Sequence, residues 1–217
     1  MGMALGRLFV QQHFPESSKQ RYTEMVEAIR AAYLERIDAL DWMDPATKTE
    51  AKAKLAVLKV GIGYPDKWRD YSAMQIDKAK LFENVMSARW FELNRQIARL
   101  DQPVDREEWG MNPQTVNAYY MPVFNQVVFP AAILQAPFFH PDADMAVNFG
   151  GIGGVIGHEV VHGFDDTGAL FDENGNVRNW WTEQDMARFR AETKKLADQY
   201  SAYEALPGLN IKGQQVL

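Results

Sequence analysis

Apolar and polar positions along the first hundred residues repeat with a helical period. Tyr22, Met25, Val26, Ile29, Tyr33, Ile37 and Leu40 recur at spacings of three and four, which is one face of a helix. Asp44-Pro45 supplies an N-cap and a proline at the first helical position, opening a second helix that Gly61-Ile62-Gly63-Tyr64-Pro65 breaks. A third helix is expected from about Ser72 to Leu100, with Phe82, Val85, Met86, Leu93, Ile97 and Leu100 on one stripe. By itself this stretch reads as a helical bundle without chemistry.

The pattern changes after Asp105. Residues 116–120 and 126–129 are β-rich runs around a turn at Met121-Pro122, and Pro122 and Pro130 bracket the second run, which points to an edge position. Ala146 to Phe164 is mostly small and apolar on every side, the mark of a buried helix about five turns long. Asn174-Gly175 is a hairpin signal within Phe171–Val177. Thr182 with Asp185 three residues on forms a capping box for a last helix running to about Tyr203. The expected class is α+β, mainly helical, with a helical segment over 1–107. A second segment over 108–217 holds the edge strands, the buried helix, the hairpin and the last helix.

Composition narrows the function. The chain has 217 residues, 47% apolar and 24% charged, enough for a sizeable core in one large domain or two small ones. The net charge of −6, from 29 acids against 23 bases, leaves no basic stripe to neutralise phosphates, so a nucleic-acid partner is not expected. With no cysteine, disulfide frameworks, thiolate zinc sites, iron–sulfur clusters and cysteine nucleophiles are excluded together. Any metal site is limited to His13, His140, His158 and His162 plus carboxylates. Met1–Gly6 has neither the basic nor the apolar region of a signal peptide and lacks the Ser or Thr of a myristoylation site. No apolar run is long enough to span a bilayer.

His158-Glu159-Val160-Val161-His162 has the form H-E-x-x-H. Four residues apart on a helix, the two imidazoles leave the same face one turn apart and can both donate nitrogen to one tetrahedral zinc. Glu159, next to the first histidine, reaches solvent bound at the metal rather than the metal itself. Zinc lowers the pKa of that water from 15.7 to about 7, and the carboxylate takes its proton. A chain of this composition matches the pattern by chance only about 0.005 times. The competing reading is a pair of hydrogen-bonded core histidines.

A catalytic zinc takes a third protein ligand. The extended motif H-E-x-x-H-x-x-G-x-x-H fails, because Asp165 and Gly168 stand where Gly and His are required. Glu183, Glu192 and Glu204 are the candidates from later in the chain, while His140, between Phe139 and Pro141, reads as a surface loop. Either Asp165 or Asp166, three and four residues past His162, could accept from its second ring nitrogen, with a merely acidic helix end as the even alternative. Gly150-Gly151-Ile152-Gly153-Gly154 lacks the spacing of a phosphate loop and reads as close helix packing. Asp172-Glu173-Asn174-Gly175 has its glycine too early for a calcium loop and reads as a turn. The Trp180-Trp181 pair is assigned to packing.

Several segments, in this order, resemble one family. They are Ala4–Leu8, Asp41-Trp42-Met43, Ile62–Pro65, Asn117-Ala118-Tyr119-Tyr120, Asn125–Pro130, Pro137-Phe138-Phe139, Val155–Glu159, His162–Asp166 and Asn179–Thr182. The chain is similar to the neprilysin and endothelin-converting-enzyme family of zinc endopeptidases along essentially its whole length. The resemblance implies part of a thermolysin-like zincin catalytic domain with an attached helical segment, and Zn2+ as cofactor. It implies His158 and His162 as zinc ligands and Glu159 as general base. It implies Asn117 and Ala118 on an edge strand that holds the substrate backbone, and Ile133, Phe138 and Val155 lining the apolar pocket beyond the scissile bond. It further implies an internal fragment truncated before the third zinc ligand, since the family's Gly-Glu-Asn-x-x-Asp motif follows a segment like 206–217. The expected function is zinc-dependent cleavage of peptide bonds, with the isolated chain inactive or nearly so. The expected partners are peptide substrates and the missing N- and C-terminal portions, or a complementing chain. The alternative is a non-catalytic peptide-binding or structural remnant without stable metal. Family members are commonly exported, which the resemblance carries over to this chain as an expectation.

Overall fold

The computed structural model of the protein describes residues 1–216; Leu217, the last residue of the 206–217 segment in the resemblance, lies outside them. Helix α1 (Gly2–His13) lies in the expected helical segment over 1–107, where the pattern marks no individual helix, and is followed by the long α2 (Glu16–Ala39). The apolar stripe of α2 faces the core. Tyr22, Met25, Val26 and Ile37 are buried, and Ile29 and Tyr33 pack partly covered against them. Helix α3 (Pro45–Ala56) opens as its capping residues predict, with the Asp44 carboxylate accepting from Ala46 N at 2.8 Å.

The glycine-rich break after α3 is itself a strand, β1 (Lys59–Gly63). It pairs in parallel with β3 (Gln126–Pro130), and β3 pairs antiparallel with the short β2 (Tyr119–Met121), giving the order β1-β3-β2. This corrects the expected edge position of the 126–129 run: β3 is the central strand and all five of its residues are buried. Pro130 is tolerated there because it closes the strand, opposite Gly63. Asn117 and Ala118 precede the edge strand β2 rather than lying in it.

Helix α4 (Leu81–Ile97) is shorter than the expected 72–100 helix, since residues 70–80 form turns held by Asp70, Asp77 and Asn84 side chains on backbone amides. Its apolar stripe is uncovered among the described residues, with Phe82, Leu93 and Ile97 exposed. What ties α4 down is charge. Glu92 and Glu108 are shared among Arg69, Arg95 and Arg99 at 2.6–3.1 Å, and Arg95 holds the Glu92 carboxyl down to about 2.

The helix expected over 146–164 is two helices, α5 (Met145–Gly150) and α6 (Ile152–Val161), parted at Gly151. The chain bends there because Ile152 N donates to Phe138 O at 2.9 Å, and a Cβ at Gly151 would stand 2.5 Å from that same oxygen. Close packing therefore accounts for Gly151, while Gly150 and Gly154 have open space beside them. After α6 the 172–176 turn is built on the Asp172 carboxylate, which accepts from Asn174 N and Asn176 N. Helix α7 (Glu183–Ser201) starts from the Thr182 cap, whose hydroxyl accepts from Asp185 N at 3.1 Å. Trp180 and Trp181 are buried, and Trp181 stacks on Trp42. A small hairpin, β4 (Glu204–Leu206) with β5 (Leu209–Asn210), follows. No helix among the described residues is long and apolar enough to cross a membrane.

Candidate metal centre

Helix α6 buries Ile152, Ile156, Glu159 and Val160, residues four, three and one apart that form a single stripe against the core. His158 and His162 fall on the neighbouring face, towards solvent. Their Nε2 atoms stand 3.0 Å apart. Two nitrogens each 2.0–2.1 Å from one tetrahedral zinc are about 3.3 Å apart, so the pair already has the spacing of two ligands sharing a cation. The rings are nearly perpendicular, with centroids 4.5 Å apart.

The other nitrogen of His162 is occupied. Nδ1 lies 2.7 Å from Asp165 Oδ2, and a carboxylate oxygen accepts, so a neutral His162 ring carries its proton on Nδ1 and turns its Nε2 lone pair towards His158 Nε2. Asp165 is held in turn: its Oδ1 accepts from Thr167 N at 3.0 Å and Gly168 N at 2.7 Å. Of the two aspartates the sequence left open, Asp165 pairs with the histidine and Asp166 is exposed.

Glu159 is 6% exposed although it follows an exposed histidine, because it lies on the core stripe of α6. Burial pushes its carboxyl above the usual range, and the His162 and His158 imidazoles pull it back. The phenol of Tyr22, on α2, is buried nearby without a hydrogen-bond partner. Burial, with a smaller contribution from the Glu159 charge, raises its pKa well above the ordinary value.

No group of three His, Cys, Asp or Glu side chains able to hold a metal occurs among the described residues. Glu183 is exposed at the start of α7, Glu192 pairs with Lys195, Glu204 accepts from Gly208 N, and His140 accepts from Asp142 N. The donor set is thus two imidazoles in register plus a buried carboxylate, which fits zinc as a partial sphere.

The expected substrate-side residues differ in exposure. Asn117 is exposed and Ala118 buried just before β2, Ile133 is buried, Val155 is half-buried on α6 and Phe138 is exposed. A cavity of about 1050 Å³ lies elsewhere, among α2, β1 and the 64–70 segment, and none of these residues lines it.

Two residues to which the sequence assigned no role at the centre, Lys54 and Asn125, are tied to the turn after α6 and to each other. Lys54 is 1% exposed. Its Nζ donates to Gly168 O and Phe171 O, each at 2.7 Å. Asn125 sits in a left-handed turn at φ 45°, with Nδ2 donating to Lys54 O at 2.9 Å and Oδ1 accepting from Tyr120 at 3.1 Å. The available signal for Lys54 was its place in the helical stripe Thr47, Ala51, Lys54, Leu55, where a lysine is out of pattern.

Comparison with known proteins gives consistent relatives. Two models described as peptidase family M13 match residues 117–217 and 1–65. The chain is 38% identical to an endothelin-converting enzyme homolog of Locusta migratoria, over 100% of this chain and 31% of that protein. It is 40% identical to neprilysin-3 of Drosophila melanogaster, over 100% of this chain and 28% of that protein. Among solved structures, a Mycobacterium tuberculosis zinc metalloprotease in complex with an inhibitor superposes with a TM-score of 0.88 at 50% identity. That match covers 98% of this chain and 33% of that one. PepO of Lactobacillus rhamnosis gives a TM-score of 0.82 at 36% identity, covering 97% of this chain and 34% of that one. The chain spans about a third of the length of the proteins it matches.

Proposed function

Because the chain belongs to peptidase family M13, we propose that it carries the histidine half of a zinc endopeptidase centre that cleaves peptide bonds. The observation that supports this most is the pair of Nε2 atoms 3.0 Å apart, with the far nitrogen of His162 fixed by Asp165. His158 and His162 would hold the metal, which supplies Lewis acidity towards a peptide carbonyl and brings the pKa of water near neutrality.

The chain's own residues do the rest. Asp165 keeps the His162 ring turned and its proton on Nδ1. Glu159 is the base that takes a proton from the attacking water and passes it to the leaving amine. A carboxyl raised by burial suits both steps, because a base works best with a pKa nearer the working pH. Asn117 and Ala118, beside the edge strand β2, hold an extended peptide backbone. Ile133, Phe138 and Val155 offer apolar surface to the residue after the scissile bond.

The third ligand and the groups that stabilise the transition state would come from polypeptide beyond these 217 residues, or from a complementing chain. Peptides are the substrates on this reading, and the whole protein is exported. The absence of a three-ligand group among the described residues also favours a second reading, a peptide-binding remnant without stable metal.

The experiment is peptide hydrolysis by the completed protein, wild type against Glu159→Gln, with zinc content measured in both. Hydrolysis is expected to fall at least a hundredfold, the low end for a general base, with zinc retained. Loss of zinc with the glutamine would make Glu159 a structural group or ligand. No activity in the completed wild type would favour the remnant.

A further inference from the structure

Lysine is among the side chains least often fully buried, and a buried ammonium is costly unless partnered. Lys54 makes no salt bridge among the described residues. Its partners are the two carbonyls at 2.7 Å and the faces of Trp180, Tyr120 and Phe164, whose centroids lie 5.7–5.9 Å from Nζ. Burial lowers its pKa to about 8, against the opposing pull of Asp165, Asp172 and Glu173. A methionine would fill the same volume among three aromatic rings without that cost. The cation is therefore read by what it holds.

It holds the turn that follows α6. Gly168 is the shared point: its N–H donates to Asp165 Oδ1 at 2.7 Å, and its carbonyl accepts from Lys54 Nζ at 2.7 Å. No side chain fits at Gly168, since a Cβ there would fall on His162 O and the Gly163 backbone. The second carbonyl, Phe171 O, closes the turn three residues on and also accepts from Trp180 Nε1 at 3.0 Å.

We propose that Lys54 is a positioning residue of the metal centre. From α3, its ammonium clamps the carbonyls of Gly168 and Phe171, so that the turn presents Asp165 to His162 Nδ1 and leaves Nε2 facing His158. The proposal rests on the zinc reading only in calling His162 a ligand, because the ring's tautomer exists without metal.

The test is a long-range 1H–15N spectrum of the histidines of the full chain, metal-free and above the imidazole pKa, for the wild type and for Lys54→Met and Lys54→Gln. Wild-type His162 is expected to be protonated on Nδ1 alone. A folded variant should show a mixture with the Nε2–H form, while the remote His140 is unchanged. Zinc affinity of the completed protein should fall roughly tenfold, the lower end for partners of ligand histidines. A folded variant that keeps the single tautomer and the wild-type affinity overturns the proposal. Should neither variant fold, the wild type decides it. At a pH well below 8, where Lys54 is an ammonium, slowly exchanging Lys54 protons with cross-peaks to Gly168 and Phe171 support the clamp, and fast exchange overturns it. A completed wild type that binds no zinc contradicts the proposed function and leaves the tautomer result standing.

Discussion

At the scale of single residues, three side chains on or near α6 have different surroundings and therefore different uses. His158 faces solvent, Glu159 faces the core, and His162 is turned by a carboxylate three residues on. Asp165→Asn replaces an acceptor by a group that can also donate, so the His162 proton is no longer fixed on Nδ1. Zinc affinity of the completed protein is then expected to fall about 10- to 100-fold, as partners of ligand histidines commonly show. Isothermal titration checks this, and an unchanged affinity would mean that the 2.7 Å contact does not orient the ring. The H-E-x-x-H spacing made the histidine pair legible in the sequence, because a period of 3.6 puts positions four apart on one face whatever surrounds them. Lys54 was not legible by residue type, since lysine is ordinarily solvated; only its place in the stripe of α3 marked it.

At the scale of elements, the pattern located helices well where burial is one-sided, as in α2, where spacing alone picks out the buried face. It failed where a distant partner decides. Lys59-Val60-Gly61-Ile62-Gly63 reads as a break, but a parallel partner more than sixty residues later makes it a strand. The run at 126–129 reads as an edge because Pro122 and Pro130 bracket it, while nothing local announces that β1 will pair with its free side. The stop at Gly151 was also hidden, because its cause is the Phe138 carbonyl. Gly151→Ala places a methyl 2.5 Å from that oxygen. The backbone has to shift, and the expected loss is about 1–3 kcal/mol. Urea unfolding measures it, and a loss below about 0.5 kcal/mol, the size of an ordinary surface substitution, would mean that the α5–α6 junction has slack.

At the scale of the whole molecule, the first hundred residues are not a bystander to the centre. Strand β1 completes the sheet, Tyr33 on α2 donates to Gly157 O within α6 at 3.0 Å, and α3 sends Lys54 to the turn after it. In return α7 reaches α3: the buried Asp185 Oδ2 accepts from Asp44 N at 3.0 Å and Thr47 Oγ1 at 2.6 Å. These ties make stability and the centre share one titration. Lys54 has a pKa of about 8 folded against 10.5 unfolded. Between those values the unfolded chain keeps a proton that the folded chain has released. Stability therefore rises with pH across the window, and below it the full cost of the buried charge is present. From pH 8 to 10 the wild type should gain about 2 kcal/mol relative to Lys54→Met, measured by urea unfolding at each pH. Parallel pH profiles for the two proteins would contradict it.

The central claim is that His158 and His162 grip one metal together. Cobalt(II) titration of the completed protein, with the polypeptide that supplies the third ligand present, followed by visible absorption, addresses it directly. Saturation at one ion per completed wild-type protein is expected, with loss of the signal in both His158→Ala and His162→Ala and its survival in Glu159→Gln. Saturable binding that persists when either histidine is removed, or no binding in the wild type, would contradict it.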